Sequence, residues 1–303
     1  MKVLVTGASG FIGGHIVRRL TARGIYDVQG LGRTHLAQLE NFPSEHAQYI
    51  QADLTTLAGR TFDAEICVHV AALANDHASW SVYMKENVQA TKTLLAALPN
   101  CKIFIFISSS SVYDFSDGQP KQEEDALLSA RLSMYGKSKL LAEMLIRDWA
   151  SISSRYILRP RAVYGSGDRV LLPRIQRLIW KGLFFLPGNL QVLSSLTNVN
   201  FLVDAVENAM QEHSDGVHTF NIADPKPYLL REKFEALGTE LAGKPLHLVS
   251  LPMSLLMTVA KILQFLKISS NLSPQALHYL SQNSVLDTKK YQQRLSQQPA
   301  SGS

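Results

Sequence analysis

Tyr135 and Lys139 stand four residues apart in Tyr135-Gly136-Lys137-Ser138-Lys139. On a helix that spacing puts both side chains on one face. A free phenol, with a pKa of about 10, is a poor base at neutral pH. A fixed ammonium beside it favours the phenolate. Lowering the phenol by about three units takes about 4 kcal/mol, which a poorly hydrated cleft can supply. The pair is therefore a candidate proton-transfer device. Upstream, Ser108-Ser109-Ser110-Ser111-Val112-Tyr113 closes an apolar, strand-like run and offers hydroxyls to an oxygen of a bound molecule. A third constellation is Thr6-Gly7-Ala8-Ser9-Gly10-Phe11-Ile12-Gly13, whose glycines fall three apart. Glycine permits a tight turn, close approach of backbone to a pyrophosphate, and close packing of helix on strand. The N-terminus of the following helix supplies free N–H donors and partial positive charge. Such a turn also occurs without a ligand. Here a strand precedes it and an amphipathic helix follows, which is the context a dinucleotide site requires.

These residues need a scaffold, and the N-terminal half alternates as a scaffold of that kind should. Strand-like runs are Lys2–Val5, Asp27–Leu31, Tyr49–Ile50, Ile66–Val70, Ile103–Ile107 and Arg155–Leu158. Helical spacing covers Phe11–Arg23, Ser79–Leu98 and Ser133–Trp149. The expected fold is an α/β, Rossmann-type, doubly wound parallel sheet. After Pro160 prolines break the pattern, with Val217–Ile222 as one more strand and Leu229–Leu241, Met253–Leu266 and Pro274–Leu280 as helices. This predicts a smaller, mostly helical C-terminal substrate part. The expected division is 1–165 plus about 195–223 for the nucleotide-binding domain, and 166–194 plus 224–303 for the substrate part. Residues Gln297–Ser303 look like a polar, disordered tail.

The chain has 303 residues, 46% hydrophobic and 18% charged, which excludes an intrinsically disordered protein. A net charge of +5 without a basic block gives no argument for nucleic acid. The two cysteines, Cys67 and Cys101, sit beside apolar runs and read as buried thiols in a reducing, cytoplasmic setting, with no metal site. A strand starting at Lys2 leaves no room for a signal peptide. Leu248–Ile268 is the most apolar late stretch, but Pro252, Lys261, Gln264 and Lys267 interrupt it, so no membrane span is expected. It reads as an amphipathic core helix, with a greasy pocket wall or peripheral membrane contact as the other readings.

The glycine spacing differs by one residue from the common dinucleotide fingerprint. With the serine run and the Tyr-Lys pair it resembles the extended short-chain dehydrogenase/reductases, the superfamily of NAD-dependent epimerases and dehydratases. The resemblance is dense to about Asp204 and thin beyond. It implies that Gly7, Ser9, Gly10, Phe11, Ile12 and Gly13 surround the cofactor's pyrophosphate. Asp53-Leu54 would bracket the adenine, with Asp53 accepting from its amine. Ala71, Ala72 and Leu73 would lie along the cofactor, with Pro160 near the nicotinamide. Relatives that bind NAD end the second strand in an acid on the ribose. Here Gly32-Arg33 stands there, which favours NADP, with NAD possible; the alternative is that Arg33 is a solvated loop residue. His69 and Asn87 read as structural, the latter tying sheet to helix.

By the same resemblance Ser109 is the catalytic serine, polarising the substrate oxygen while Tyr135 moves the proton and Lys139 holds the ribose. Ser110 and Ser111 stand where dehydratases carry Asp and Glu, so elimination lacks its acid and base. Ser111 and Arg161 face the substrate. Nucleotide-sugar epimerases commonly carry Asn where this chain has Ala162, and Arg where it has Ser194 and Ser195. Arg161, Arg169 and Arg174 are candidate replacements or plain surface arginines. The implied activity is hydride transfer at a secondary alcohol or ketone, on a nucleotide-linked keto sugar. The rivals are a nucleotide-sugar 4-epimerase, a 3β-hydroxysteroid-like or lipid alcohol dehydrogenase, and an NAD(P)-sensing regulatory protein. A small-molecule substrate and a homodimer formed through the helices of Ser79–Leu98 and Ser133–Trp149 are also expected.

Overall fold

The structure, a computed structural model, describes residues 1–39, 42–57, 59–74, 78–212, 214–265, 277–278 and 280–296. Leu266, most of the expected helix Pro274–Leu280 and the tail 297–303 lie outside them. Seven strands form one parallel sheet: β1 (Lys2–Thr6), β2 (Asp27–Gly32), β3 (Ala47–Gln51), β4 (Ile66–His69), β5 (Ile103–Ile107), β6 (Ser154–Pro160) and β7 (Gly216–Ile222). Their order is β7-β6-β5-β4-β1-β2-β3, every pair parallel. The order reverses at β1, between β2 and β4, which opens a crevice at the strands' carboxyl ends.

Alternation along the strands explains why each reads as a continuous apolar run. Val3 and Val5 of β1 face a core with Ile16, Val17 and Leu20 of α1 (Phe11–Ala22). Leu4, between them, points into the opposite core. There it joins Leu94 and Leu95 of α3 (Ala90–Ala96) and Ala142 and Ile146 of α4 (Met134–Asp148). The expected helix over Ser79–Leu98 is not uniform. A short α2 (Trp80–Tyr83) leads into a π-helical turn, Met84–Gln89, before α3. Within this turn Asn87 Oδ1 accepts from Leu73 N at 2.7 Å and its amide donates to Ser138 Oγ at 2.9 Å, tying the turn to the segment after β4 and to α4.

The C-terminal region contains helices α5 (Leu171–Gln176), α6 (Val199–Glu212), α7 (Leu230–Ala242) and α8 (Met253–Phe265). It is less helical than expected. Ile179–Trp180, Leu183–Pro187 and His247–Leu251 form a three-stranded sheet, and two pairs of two-residue strands lie nearby. The apolar stretch from Leu248 thus begins as a strand and turns helical only at Met253. Ile175, Phe184, Leu186, Leu196, Leu230 and Phe234 make a separate small core here. Among the described residues no helix is long and apolar enough to cross a membrane.

Candidate active site

One cleft of about 1170 Å³ runs along the carboxyl ends of β1, β4, β5 and β6 into the small C-terminal core. Its first wall is the turn after β1. A Cβ at Gly13 would collide with the Gly7 carbonyl oxygen, so α1 starts hard against the turn only because residue 13 is glycine. Gly10 N–H closes the turn on Gly7 O at 2.9 Å. No acidic residue stands in the first turn of α1, and its positive end is left for phosphate. Ser9, Gly10, Phe11 and Ile12 line the cleft beside it. Thr6 Oγ1 accepts from Val70 N and Ala71 N at 3.2 Å each, which brings the chain of Ala71, Ala72 and Leu73 alongside. The backbone cradle fits a dinucleotide. Thr6 Oγ1 also meets His69 Nδ1 at 2.7 Å, and His69 Nε2 meets Thr91 Oγ1 at 2.9 Å. Burial holds His69 neutral, its pKa brought down to about 3.

At the adenosine end a Cβ at Gly32 would lie 2.6 Å from Tyr49 Oη and 2.9 Å from Ser9 Oγ, so a side chain at that position would require both hydroxyls to move. Arg33 lines the cleft with its side chain largely exposed, and its Nη1 pairs with Oε2 of Glu86, another lining residue, at 3.0 Å. The π-helical turn that carries Asn87 also delivers Glu86. Asp53 lines the cleft next to Leu54, but its Oδ1 accepts from both Thr55 N and Thr55 Oγ1 at 2.8 Å. Those bonds, the backbone one foremost, hold the Asp53 carboxyl below its ordinary range.

Further along, Ser109 caps a short 3-10 turn, its Oγ accepting from Ser111 N at 3.1 Å and donating to Ser111 Oγ at 3.1 Å. Tyr135 sits in the first turn of α4 and lines the cleft together with Ser109. Gly136 makes this possible: a Cβ there would collide with the Ser111 carbonyl, so only glycine lets α4 dock on the serine turn. Ser133 caps the helix, accepting from Gly136 N at 3.0 Å. Tyr83 packs against Tyr135 with ring centroids 6.3 Å apart. Lys139 does not reach toward Tyr135 as expected. Its Nζ donates to Ile107 O at 2.6 Å and lies 3.9 Å from the Phe106 ring centroid. Burial brings Lys139 down to about 7, opposed by the Glu143 carboxylate. Burial likewise pushes Tyr135 up to about 12, with the Ser109 hydroxyl pulling the other way. The phenol is raised here because it is buried, against the lowering expected from the spacing.

Sequence reasoning missed the support beneath this set. Glu143, one turn beyond Lys139, is fully buried and accepts from Ser108 Oγ at 2.5 Å and from Arg159 Nε at 2.9 Å. Arg159 Nη1 reaches Tyr113 Oη and Glu123 O at 2.7 Å, and Tyr113 donates to Asn221 Oδ1 at 2.6 Å. A charged residue inside the apolar run Tyr156-Ile157-Leu158-Arg159 was the available signal.

On the substrate side, Pro160 and Arg161 line the cleft. Arg161 takes the place opposite the serines: its Nε is 3.3 Å from Ser194 Oγ, its Nη2 2.7 Å from Ser284 Oγ and its Nη1 3.5 Å from Ser110 Oγ. Ser194 and Ser195 are buried in internal bonds. Ala162 takes a left-handed conformation, φ 39. Arg174 lines the cleft at an exposed position, whereas Arg169 is exposed outside it. No cluster of metal-ligating side chains occurs among the described residues.

A doubly wound sheet with a phosphate turn at its switch point and a Ser-Tyr-Lys set one strand away defines a nicotinamide-dependent enzyme of the short-chain dehydrogenase/reductase type. The sequence pattern of the NAD dependent epimerase/dehydratase family matches residues 3–223, and the chain belongs to that family. It is 28% identical to an Escherichia coli O157:H7 N-acetylglucosaminyl-diphospho-undecaprenol 4-epimerase, over 83% of this chain and 75% of that protein. It is 27% identical to a Stigmatella aurantiaca ketoreductase of a farnesylated dihydroquinoline oxide, over 83% of this chain and 76% of that one. A UDP-glucuronic acid 4-epimerase from Bacillus cereus, solved with NAD, superposes with a TM-score of 0.74 at 22% identity, covering 100% of this chain and 94% of the other.

Proposed function

We propose that this protein is a dehydrogenase or reductase that interconverts a secondary alcohol and a ketone. The observation that carries the reading is that Ser109, Tyr135 and Lys139 line the same cleft as the glycine turn. Gly7, Gly10, Gly13 and the N-terminus of α1 would hold the pyrophosphate, Asp53 and Leu54 the adenine, and Ala71 to Leu73 with Pro160 the nicotinamide half. A bound nicotinamide supplies the hydride in one direction and takes it in the other. Ser109 Oγ donates to the reacting oxygen. In reduction the neutral Tyr135 phenol would give its proton to the oxygen as the carbon takes up a hydride; in oxidation the Tyr135 phenolate, favoured once the Lys139 ammonium lies at the ribose, would take the alcohol's proton as the carbon gives up its hydride. Lys139, buried beside Ile107, would turn to the ribose and hold its charge there.

For the cofactor, the Glu86 carboxylate on Arg33 revises the expectation of NADP toward NAD(H). A 2′-phosphate would have to displace or neighbour that carboxylate, whereas a ribose hydroxyl can donate to it. For the substrate, the family's epimerases keep a nucleotide sugar in mind, as does the undecaprenol-linked relative. The ketoreductase relative, with its farnesyl group, supports a plain ketone reductase on a greasy substrate. The buried Ser194 and Ser195 and the backbone turn at Ala162 favour the second. A homodimer through α2 and α4 is also proposed, since Trp80, Val82, Met134 and Met144 are exposed there.

The test is Tyr135→Phe. Turnover followed by nicotinamide absorbance should fall about 10²–10⁴-fold, the range for removing one acid–base group. Circular dichroism should be unchanged. Wild-type turnover in the variant would falsify the assignment. NAD that stays bound through purification and is released only on denaturation would instead move the 4-epimerase reading to the front.

A further inference from the structure

Tyr135, Lys139 and Glu143 follow one another at intervals of four along α4 and so share one face of it. The last two grip consecutive residues at the end of β5. Lys139 Nζ donates to Ile107 O at 2.6 Å, and Glu143 Oε1 accepts from Ser108 Oγ at 2.5 Å. Ser109 comes next in the chain. The two grips differ in kind. Ile107 O is a neutral acceptor, which an ammonium can exchange for a ribose hydroxyl. Glu143 is fixed. Arg159 Nε and Nη2 hold its two carboxylate oxygens at 2.9 and 2.5 Å, and the same guanidinium reaches Tyr113 Oη at 2.7 Å, beyond the other end of the serine run.

Few charges face Lys139. β5 meets it with the Phe106 ring and the Ile107 carbonyl. His69 on β4 is neutral, bonded to Thr6 and Thr91. Tyr135 keeps its phenol proton. Arg159 on β6 and Arg147, one turn further along α4, direct their guanidinium groups at Glu143, the latter at 3.8 Å. The Glu143 carboxylate opposes the burial that brings Lys139 down. Lys139 and Glu143 are both fully buried, where water screens little.

We infer that Glu143 is a positioning residue of the cofactor site: its carboxylate, fixed on Ser108 and Arg159, holds the Lys139 charge in the cleft while that side chain turns from Ile107 O to the ribose. Glu143 itself does not line the cleft and acts through Lys139. This rests on the dehydrogenase reading above, which brings a nicotinamide dinucleotide to the cleft and Lys139 to its ribose.

The experiment is calorimetric titration of the full chain with NADH across a range of about pH 5 to 9. In the wild type, affinity should hold below about pH 7 and weaken above it, because binding must then draw in a proton. In Glu143→Gln the weakening should begin about one pH unit lower, leaving NADH about tenfold weaker at pH 8. Glu143→Asp keeps the charge and should return the onset most of the way. Glu143→Gln strands the buried Arg159 guanidinium. The double variant Glu143→Gln, Arg159→Met buries no unpaired charge and carries the same prediction should the single variant not fold. A merely structural Glu143 would weaken NADH equally at every pH. That result, an onset unchanged from the wild type, or an onset in Glu143→Asp equal to that in Glu143→Gln would overturn the inference. Failure of the underlying reading looks different: NADH would not bind the wild type, or Lys139→Met would keep the wild-type pH profile.

Discussion

Burial leaves Lys139 with a pKa of about 7 in the cofactor-free protein, so at pH 8 most of these side chains are neutral. An anionic dinucleotide favours the ammonium and should draw a proton in. Calorimetry at pH 8 in buffers of different ionisation enthalpy should register uptake approaching one proton per cofactor, absent in Lys139→Met. Affinity should weaken above pH 7 by at most about tenfold per pH unit. Binding without proton uptake would remove Lys139 from this role. Glu86 gives a second residue-scale expectation. Glu86→Gln frees Arg33 and removes a carboxylate from the adenosine end, so the ratio of NADPH to NADH affinity should rise about tenfold. An unchanged ratio would leave Arg33 and Glu86 without a part in cofactor choice. Tyr135, Lys139, Ser109 and the glycine turn were legible in the sequence because local spacing on one helix, one turn or one strand end fixes them. Glu86 was not, because its partner lies 53 residues away and nothing local brings the two together.

The element that joins β1, β4 and α3 is a single imidazole. His69 bridges Thr6 and Thr91 while neutral, with a folded pKa of about 3 against an ordinary value of 6.5. Between those values the unfolded chain binds a proton that the folded one does not, so stability rises with pH across this window and is lost on acidification. The loss is up to about 1.4 kcal/mol per pH unit. Urea unfolding at pH 7 and pH 5 should show it, and His69→Gln should flatten the dependence; an equal pH slope in the two proteins would rule His69 out as its source. The long strands were readable because both faces of the sheet are covered, so their side chains are apolar without a break. Ile179–Trp180 and Thr197–Asn198 were not, since two residues carry no period. That is why the C-terminal region read as mostly helical.

At the scale of the molecule, the large sheet and the small C-terminal core meet in one cleft, and residues far apart in sequence close it. Ser284 bonds Arg161, and Asn221 at the end of β7 holds Lys121 O and Asp287 O. The parallel sheet could be foreseen from alternation, but this closure could not, because it depends on where a late, irregular strand returns. The proposed pairing of two chains belongs to this scale as well. Sedimentation should give a dimer for the wild type and a monomer for Val82→Glu with Met144→Glu; a wild-type monomer at every concentration would exclude it. The π-helical turn at Met84–Gln89 bears on the cleft rather than on the whole chain. It carries one residue more per turn than the helices on either side. Removing that one residue would leave an ordinary helical turn, with Thr91 still at His69 and Leu94 still in its core. Glu86 and Asn87, which the wider turn carries, would lose their present aim at Arg33 and Leu73. A one-residue deletion in this segment should therefore spare the fold and show itself at the cofactor end of the cleft.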